Sequence, residues 1–192
     1  MKQAVLLHGT GGSDNDYFWF ADTKAYLESK GYEVWWPLLP HTNKPKLEET
    51  LAFVEENMPV LDEESIIIGH SSACPLILSL LENNMLHIKQ AVLVSGYYAP
   101  IPNPLEEGTM QTNLLPEDGF DYDRILGSAD EIVLVNSDND PWGCTDKKAR
   151  PVAEALEAKF VLAKGMGHMG SGTFNQPMPE LPLLKDLLAT SS

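Results

Sequence analysis

Six short runs of aliphatic and β-branched residues recur along the chain: QAVLLH (3–8), YEVWWP (32–37), SIIIG (65–69), QAVLVS (90–95), EIVLVN (131–136) and KFVLAK (159–164). None alternates cleanly between apolar and polar positions, so each predicts a strand covered on both faces. Between most of them the pattern turns helical, as in FWFADTKAYLESKG (18–31), whose closing glycine suits a helix C-cap, and KKARPVAEALEA (147–158). Strands and helices alternating at this spacing call for parallel pairing through right-handed crossovers. The fold class that follows is α/β, a doubly wound, mainly parallel six-stranded sheet.

One segment breaks the rhythm. Residues 96–130, GYYAPIPNPLEEGTMQTNLLPEDGFDYDRILGSAD, hold four prolines and only a brief helical patch near FDYDRIL. We read them as a small lid-like excursion from a single domain spanning 1–192. A chain of 192 residues is long enough to bury roughly 70% of its unfolded surface around one core.

Composition narrows the partners. With 13 Lys and Arg against 28 Asp and Glu, the formal net charge is −15, so the average surface repels a phosphate backbone or an anionic bilayer. Nucleic acid and membrane are excluded as expected partners, and the sequence names no protein partner. The opening MKQAVLLHG is too short for a signal-peptide core, and no apolar run approaches the ~20 residues of a membrane span. A cytoplasmic location is expected. Cys74 and Cys144 are too few for a disulfide framework and read as free thiols.

In open parallel sheets, ligands gather beyond the carboxyl ends of the strands. His8-Gly9-Thr10-Gly11-Gly12 follows the first run, Gly69-His70-Ser71-Ser72-Ala73 closes the third, and Ser95-Gly96-Tyr97-Tyr98 closes the fourth. Ser137-Asp138-Asn139-Asp140-Pro141-Trp142 follows the fifth run, and Gly165-Met166-Gly167-His168-Met169 the sixth. A serine, an aspartate and a histidine thus stand in the chain order of α/β-hydrolases. A serine hydroxyl is a weak nucleophile until a base takes its proton, and that base needs an orienting carboxylate. Ser71 and His168 fill two roles, and either Asp138 or Asp140 fills the third. Ser71 lies on a strand-to-helix turn of the form G-x-S-x-G, except that Ala73 replaces the last glycine. Alanine serves there if the position needs only a small residue and not a positive φ.

HGTGG, IIIGHSS, VLVSGYY, SDNDP and GMGH together resemble the compact single-domain serine hydrolases of the retinoblastoma-binding-protein-9 type, α/β-hydrolases with a minimal lid. The resemblance covers nearly the whole chain. It implies a minimal α/β-hydrolase fold with Ser71 as nucleophile, Asp140, directly before Pro141, as acid, and His168 as base. Ala73 departs from the glycine that the family pattern carries.

GMGHMG (165–170) fits the dinucleotide pattern G-x-G-x-x-G, but a proline-interrupted stretch follows it, and GTGG lacks the Gly-Lys-Ser/Thr of a phosphate loop. HGTGG is better used as one side of an oxyanion hole, the backbone N–H of Thr10 joining that of Ser72. No metal and no cofactor is expected. Cys74 reads as packing, His8 and His70 as structural residues bordering the site, and His41 and His87 as surface residues. Trp19, Tyr97, Tyr98, Trp142, Met166 and Met169 stand in or near the surrounding loops and suggest a partly apolar pocket for a small acyl substrate. The expected activity is a carboxylesterase-like serine hydrolase acting through an acyl-enzyme. An amidase or peptidase would use the same machinery, and a binding protein with a vestigial site is the competing class.

Overall fold

Each strand divides its side chains between two cores. In β1 (Lys2–Leu7), Ala4 and Leu6 join one apolar cluster while Val5 and Leu7 join the other. The same alternation holds for Ile66 and Ile68 against Ile67, and for Val92 and Val94 against Ala91 and Leu93. A strand buried on both faces has no polar phase, which is why the sequence shows unbroken apolar runs.

The computed structural model describes residues 2–12, 17–83 and 86–188. The other strands of the main sheet are β2 (Tyr32–Trp35), β3 (Ile66–His70), β4 (Ile88–Val94), β7 (Ala129–Asn136) and β8 (Lys159–Leu162). They pair in the order β2-β1-β3-β4-β7-β8, every neighbour parallel. On one face lie α2 (Leu47–Asn57), α3 (Ala73–Asn83), α4 (Tyr122–Ile125) and α5 (Asp146–Ala155); on the other lie α1 (Phe20–Ser29) and α6 (Pro182–Leu187). All six expected strands are present. Among the described residues no helix is long and apolar enough to cross a membrane.

Local chemistry sets the ends of these elements. α1 stops where Gly31 takes φ +85° and its N–H reaches back to the Glu28 carbonyl, a conformation open to glycine without a Cβ penalty. α3 is buried from Ala73 through Leu81, as a helix apolar on all sides must be. Each fully covered Leu or Ile there contributes about 1.5–3 kcal/mol. Pro75 fits because the first turn has spare N–H groups.

The 96–130 segment is more ordered than its prolines suggest. β5 (Ile101–Pro102) pairs antiparallel with β6 (Met110–Gln111), and the Tyr97 hydroxyl donates to the Asn113 carbonyl at 2.7 Å. Two-residue strands are too short to carry a hydropathy period, so the sequence reading missed them.

Candidate active site

The order β2-β1-β3 reverses direction at β1, and the crevice beyond the carboxyl ends of β1 and β3 holds the site. Ser71 follows β3 with φ +55°, on a turn pinned by its own N–H on the Val94 carbonyl (2.9 Å) and by Cys74 N–H on the Ser71 carbonyl (3.0 Å). This sharp strand-to-helix turn holds the side chain on a strained corner above the N-terminus of α3. Gly9 permits the loop after β1 to approach: a Cβ there would lie 2.8 Å from Ser71 Cβ. Ala73 is fully buried, and its φ is not positive. The fifth place of the turn therefore needs a small residue, and alanine meets that need.

The loops that follow β7 and β8 are laced together side chain by side chain. The Asp138 carboxylate accepts Gly165 N–H (2.8 Å), the Asn139 carboxamide oxygen accepts Gly167 N–H (2.8 Å), and Asp140 Oδ2 accepts from His168 Nδ1 (2.7 Å). Asp140 Oδ1 is held in turn by the N–H of Trp142 (2.8 Å). Asp140 is thus the carboxylate on the imidazole, and Asp138 serves the backbone of the histidine loop. Asn139 shares that work, as does Gln176, whose Oε1 accepts His168 N–H (3.1 Å). Asn139 lay inside the motif and was overlooked. Gln176, eight residues past His168, gave no local signal.

Further contacts fix the histidine loop from below. The His168 carbonyl accepts from His70 Nε2 and from Ser95 Oγ, both at 2.9 Å. His70 is fully enclosed beside the aromatic rings of Phe18, Trp19 and Phe20. Burial, reinforced by nearby His168, pushes its pKa down to about 3, so the ring is neutral and its Nε2 carries the proton. His8 accepts Leu39 N–H on Nε2 (2.9 Å), leaving Nδ1–H to donate to the Gly9 carbonyl (2.8 Å). It too is lowered, chiefly by burial. Both therefore fit the structural role expected of them.

The two expected oxyanion donors differ. Ser72 N–H has no acceptor among the described residues, whereas Thr10 N–H donates to Ser72 Oγ at 2.8 Å, with Thr10 Oγ1 2.9 Å from the same oxygen. Thr10 is thus engaged in the resting site. Cys74 and Cys144 are both buried free thiols whose pKa values burial pushes upward. Cys144, Asp140 and His168 place ligand atoms within 4.8 Å of one another, but the Asp140 carboxylate already holds His168 and Trp142.

Ser71 and His168 line a common cavity of about 350 Å³. Of the expected substrate-binding residues, Tyr97 and Trp142 line it too. Trp19, Tyr98 and Met169 do not: they are buried in the apolar cores, and Trp19 Nε1 donates to the Met169 carbonyl at 2.9 Å. Met166 likewise packs against the core on the α1 face. Loop position alone had suggested pocket roles, but large apolar side chains beside a sheet edge gain more by turning inward. The walls are instead rich in carboxamides (Asn43, Asn103, Gln111 and Asn113), which carry no motif.

The chain is similar to known hydrolases. YdeN of Bacillus subtilis (strain 168) is 26% identical over 196 residues, spanning 98% of this chain and 95% of its own. Serine hydrolase RBBP9 of Rattus norvegicus is 24% identical over 176 residues, spanning 91% and 90%. The crystal structure of the YdeN gene product superposes with a TM-score of 0.79 at 22% identity, covering 97% of this chain and 96% of that one, which supports the α/β-hydrolase fold. The family model described as serine hydrolase matches residues 4–185, and the chain belongs to that family of hydrolases.

Proposed function

We propose that the protein hydrolyses small esters through a Ser71-His168-Asp140 triad and an acyl-enzyme. His168 takes the Ser71 proton as Oγ attacks the acyl carbonyl, and Asp140 holds the imidazole and stabilises its charged form. The oxyanion is received by Ser72 N–H and by Thr10 N–H once it turns from Ser72 Oγ. The tetrahedral species collapses, His168 protonates the departing alkoxide, and water repeats the sequence with the same base to release the acid. The substrate is a small acyl compound.

The observation that carries this reading is the 2.7 Å contact between His168 Nδ1 and Asp140, in a wall shared with a nucleophile-type turn. A fluorophosphonate probe followed by peptide mapping tests it: label on the peptide containing Ser71 is expected. No label on native protein would leave the binding-protein reading instead.

A further inference from the structure

The cavity over Ser71 mixes polar side chains with Phe18, Leu105, Tyr97 and Trp142. Among the described residues that line it there is no Lys, Arg, Asp or Glu, although charged residues make up 21% of the chain. Their place is taken by carboxamides, three of them (Asn103, Gln111 and Asn113) brought in by the 96–130 excursion. Their hydrogen-bonding capacity is only partly used. Asn103 Oδ1 accepts Leu105 N–H (3.0 Å) and Asn113 Nδ2 donates to Thr10 Oγ1 (3.3 Å), while the amide groups' other halves have no partner among the described residues. Gln111 Nε2 is buried and unpartnered there. A buried donor left unpaired costs about 1–3 kcal/mol, and the Gln111 amide recovers that amount when it turns Nε2 toward a ligand acceptor in the cavity.

Each candidate ligand class meets these walls differently. An anionic group finds no cation to replace its hydration. An alkyl chain strips water from the carboxamides and returns no hydrogen bonds. Hydroxyl groups, each both donor and acceptor, match the amide N–H and C=O groups in kind. Trp142, which is only partly buried, adds a flat apolar surface against which the C–H face of a ring can lie. The volume of about 350 Å³ is at the lower end for small-molecule sites, roughly 300–1,000 Å³, and suits one ring with a short acyl group.

We infer that the preferred substrate is a short-chain acyl ester of a small polyhydroxylated alcohol of the monosaccharide or polyol class, selected by Gln111, Asn113 and Asn103. The inference rests on the Ser71 hydrolase reading and adds the alcohol half of the substrate to it.

The test compares kcat/KM for a monoacetylated hexose with that for cyclohexyl acetate, which has the same acyl group and ring size without hydroxyls. The native enzyme is expected to favour the sugar ester by about tenfold or more, since a site built for hydroxyls rejects analogues lacking them. In Gln111→Leu and, separately, Asn113→Leu, that ratio is expected to fall about tenfold, the value of one hydrogen bond left unmade. A ratio of two kcat/KM values does not depend on the fraction of enzyme folded, so loss of protein cannot mimic the result. A native ratio near one, a preference for an N-acetylated dipeptide amide, or a ratio unmoved by both variants would overturn the inference. Phenyl acetate turnover and fluorophosphonate capture of Ser71 separate the two levels. Their presence without the preference removes only the substrate class, and their absence removes the hydrolase reading beneath it.

Discussion

Asp138 and Gly165 are joined at 2.8 Å, carboxylate to backbone N–H, which leaves Asp138 on the histidine loop's backbone, apart from the aspartate before Pro141 that the sequence pattern favours. Asp140, two residues on, takes the imidazole instead. Asp140→Asn is expected to lower kcat by up to about 10⁴, because the amide cannot hold the required tautomer, with little change in melting temperature. Asp138→Ala is expected to cost stability, about 0.5–1.5 kcal/mol for one solvent-exposed hydrogen bond lost, with a smaller kinetic effect. A larger kinetic loss in the Asp138 variant would reassign the acid.

Ser71 sits on its turn, half-buried, with a φ of +55°. Ser71→Ala is expected to abolish nearly all acyl hydrolysis while remaining folded. Ser71→Gly is expected to be equally inactive and more stable by ~1 kcal/mol, since glycine relieves the left-handed conformation. Denaturant midpoints of the two variants decide the second point.

Ser72 tests the oxyanion assignment. Its hydroxyl accepts the Thr10 N–H, so Ser72→Ala leaves that donor free. With the backbone N–H groups as the oxyanion donors, kcat should change by less than about tenfold. A fall of ~10² or more, the cost of losing one oxyanion donor, would assign that role to Ser72 Oγ.

Substrate charge is expected to matter at long range. The 96–130 segment carries Glu106, Glu107, Glu117, Asp118, Asp121, Asp123 and Asp130 against Arg124 alone, and none of the seven acids lines the cavity. Neutral or cationic short-chain esters should be turned over faster than a matched anionic ester. The gap should narrow as salt shortens the Debye length to about 10 Å at 0.1 M. Equal rates at low salt would refute a steering field.

Acid should destabilise the fold before the carboxylates titrate. His70 is held down to about 3 and His8 is lowered as well, both chiefly by burial, whereas unfolded histidines titrate near 6.5. The unfolded chain therefore binds more protons as pH falls below about 6.5. The stability these histidines contribute is complete above that pH and is lost progressively toward the folded values. Urea midpoints should stay level from pH 8 to 7 and decline between about 6.5 and 5, and His70→Gln should flatten that decline. A midpoint independent of pH across this range in the native protein would contradict the assignment.

How much of this was legible in the sequence depends on how local each cause is. Burial on both faces erases the polar phase of a strand, so IIIG and VLV announced a covered parallel sheet. The backbone demands of a strand-to-helix turn kept Gly69, Ser71 and a small residue at 73 within five positions. The clamp was only half visible: SDNDP and GMGH each stand out, yet which aspartate meets His168 depends on how two loops 28 residues apart lie against each other. The cavity was legible only through Tyr97 and Trp142. Asn43, Asn103, Gln111 and Asn113 are ordinary polar residues without a motif, and only the folded chain gathers them in one wall, the last three through the 96–130 excursion. Trp19, Tyr98 and Met169, which looked like pocket residues, turned into the cores because burying a large apolar side chain is worth more than exposing it. Sequence by itself determined the sheet, the nucleophile-type turn and the short motifs, whose causes act within a few residues. Tertiary structure alone decided the reach of the Asp140 carboxylate to His168 and the make-up of the walls, because those contacts join residues that are distant in the chain.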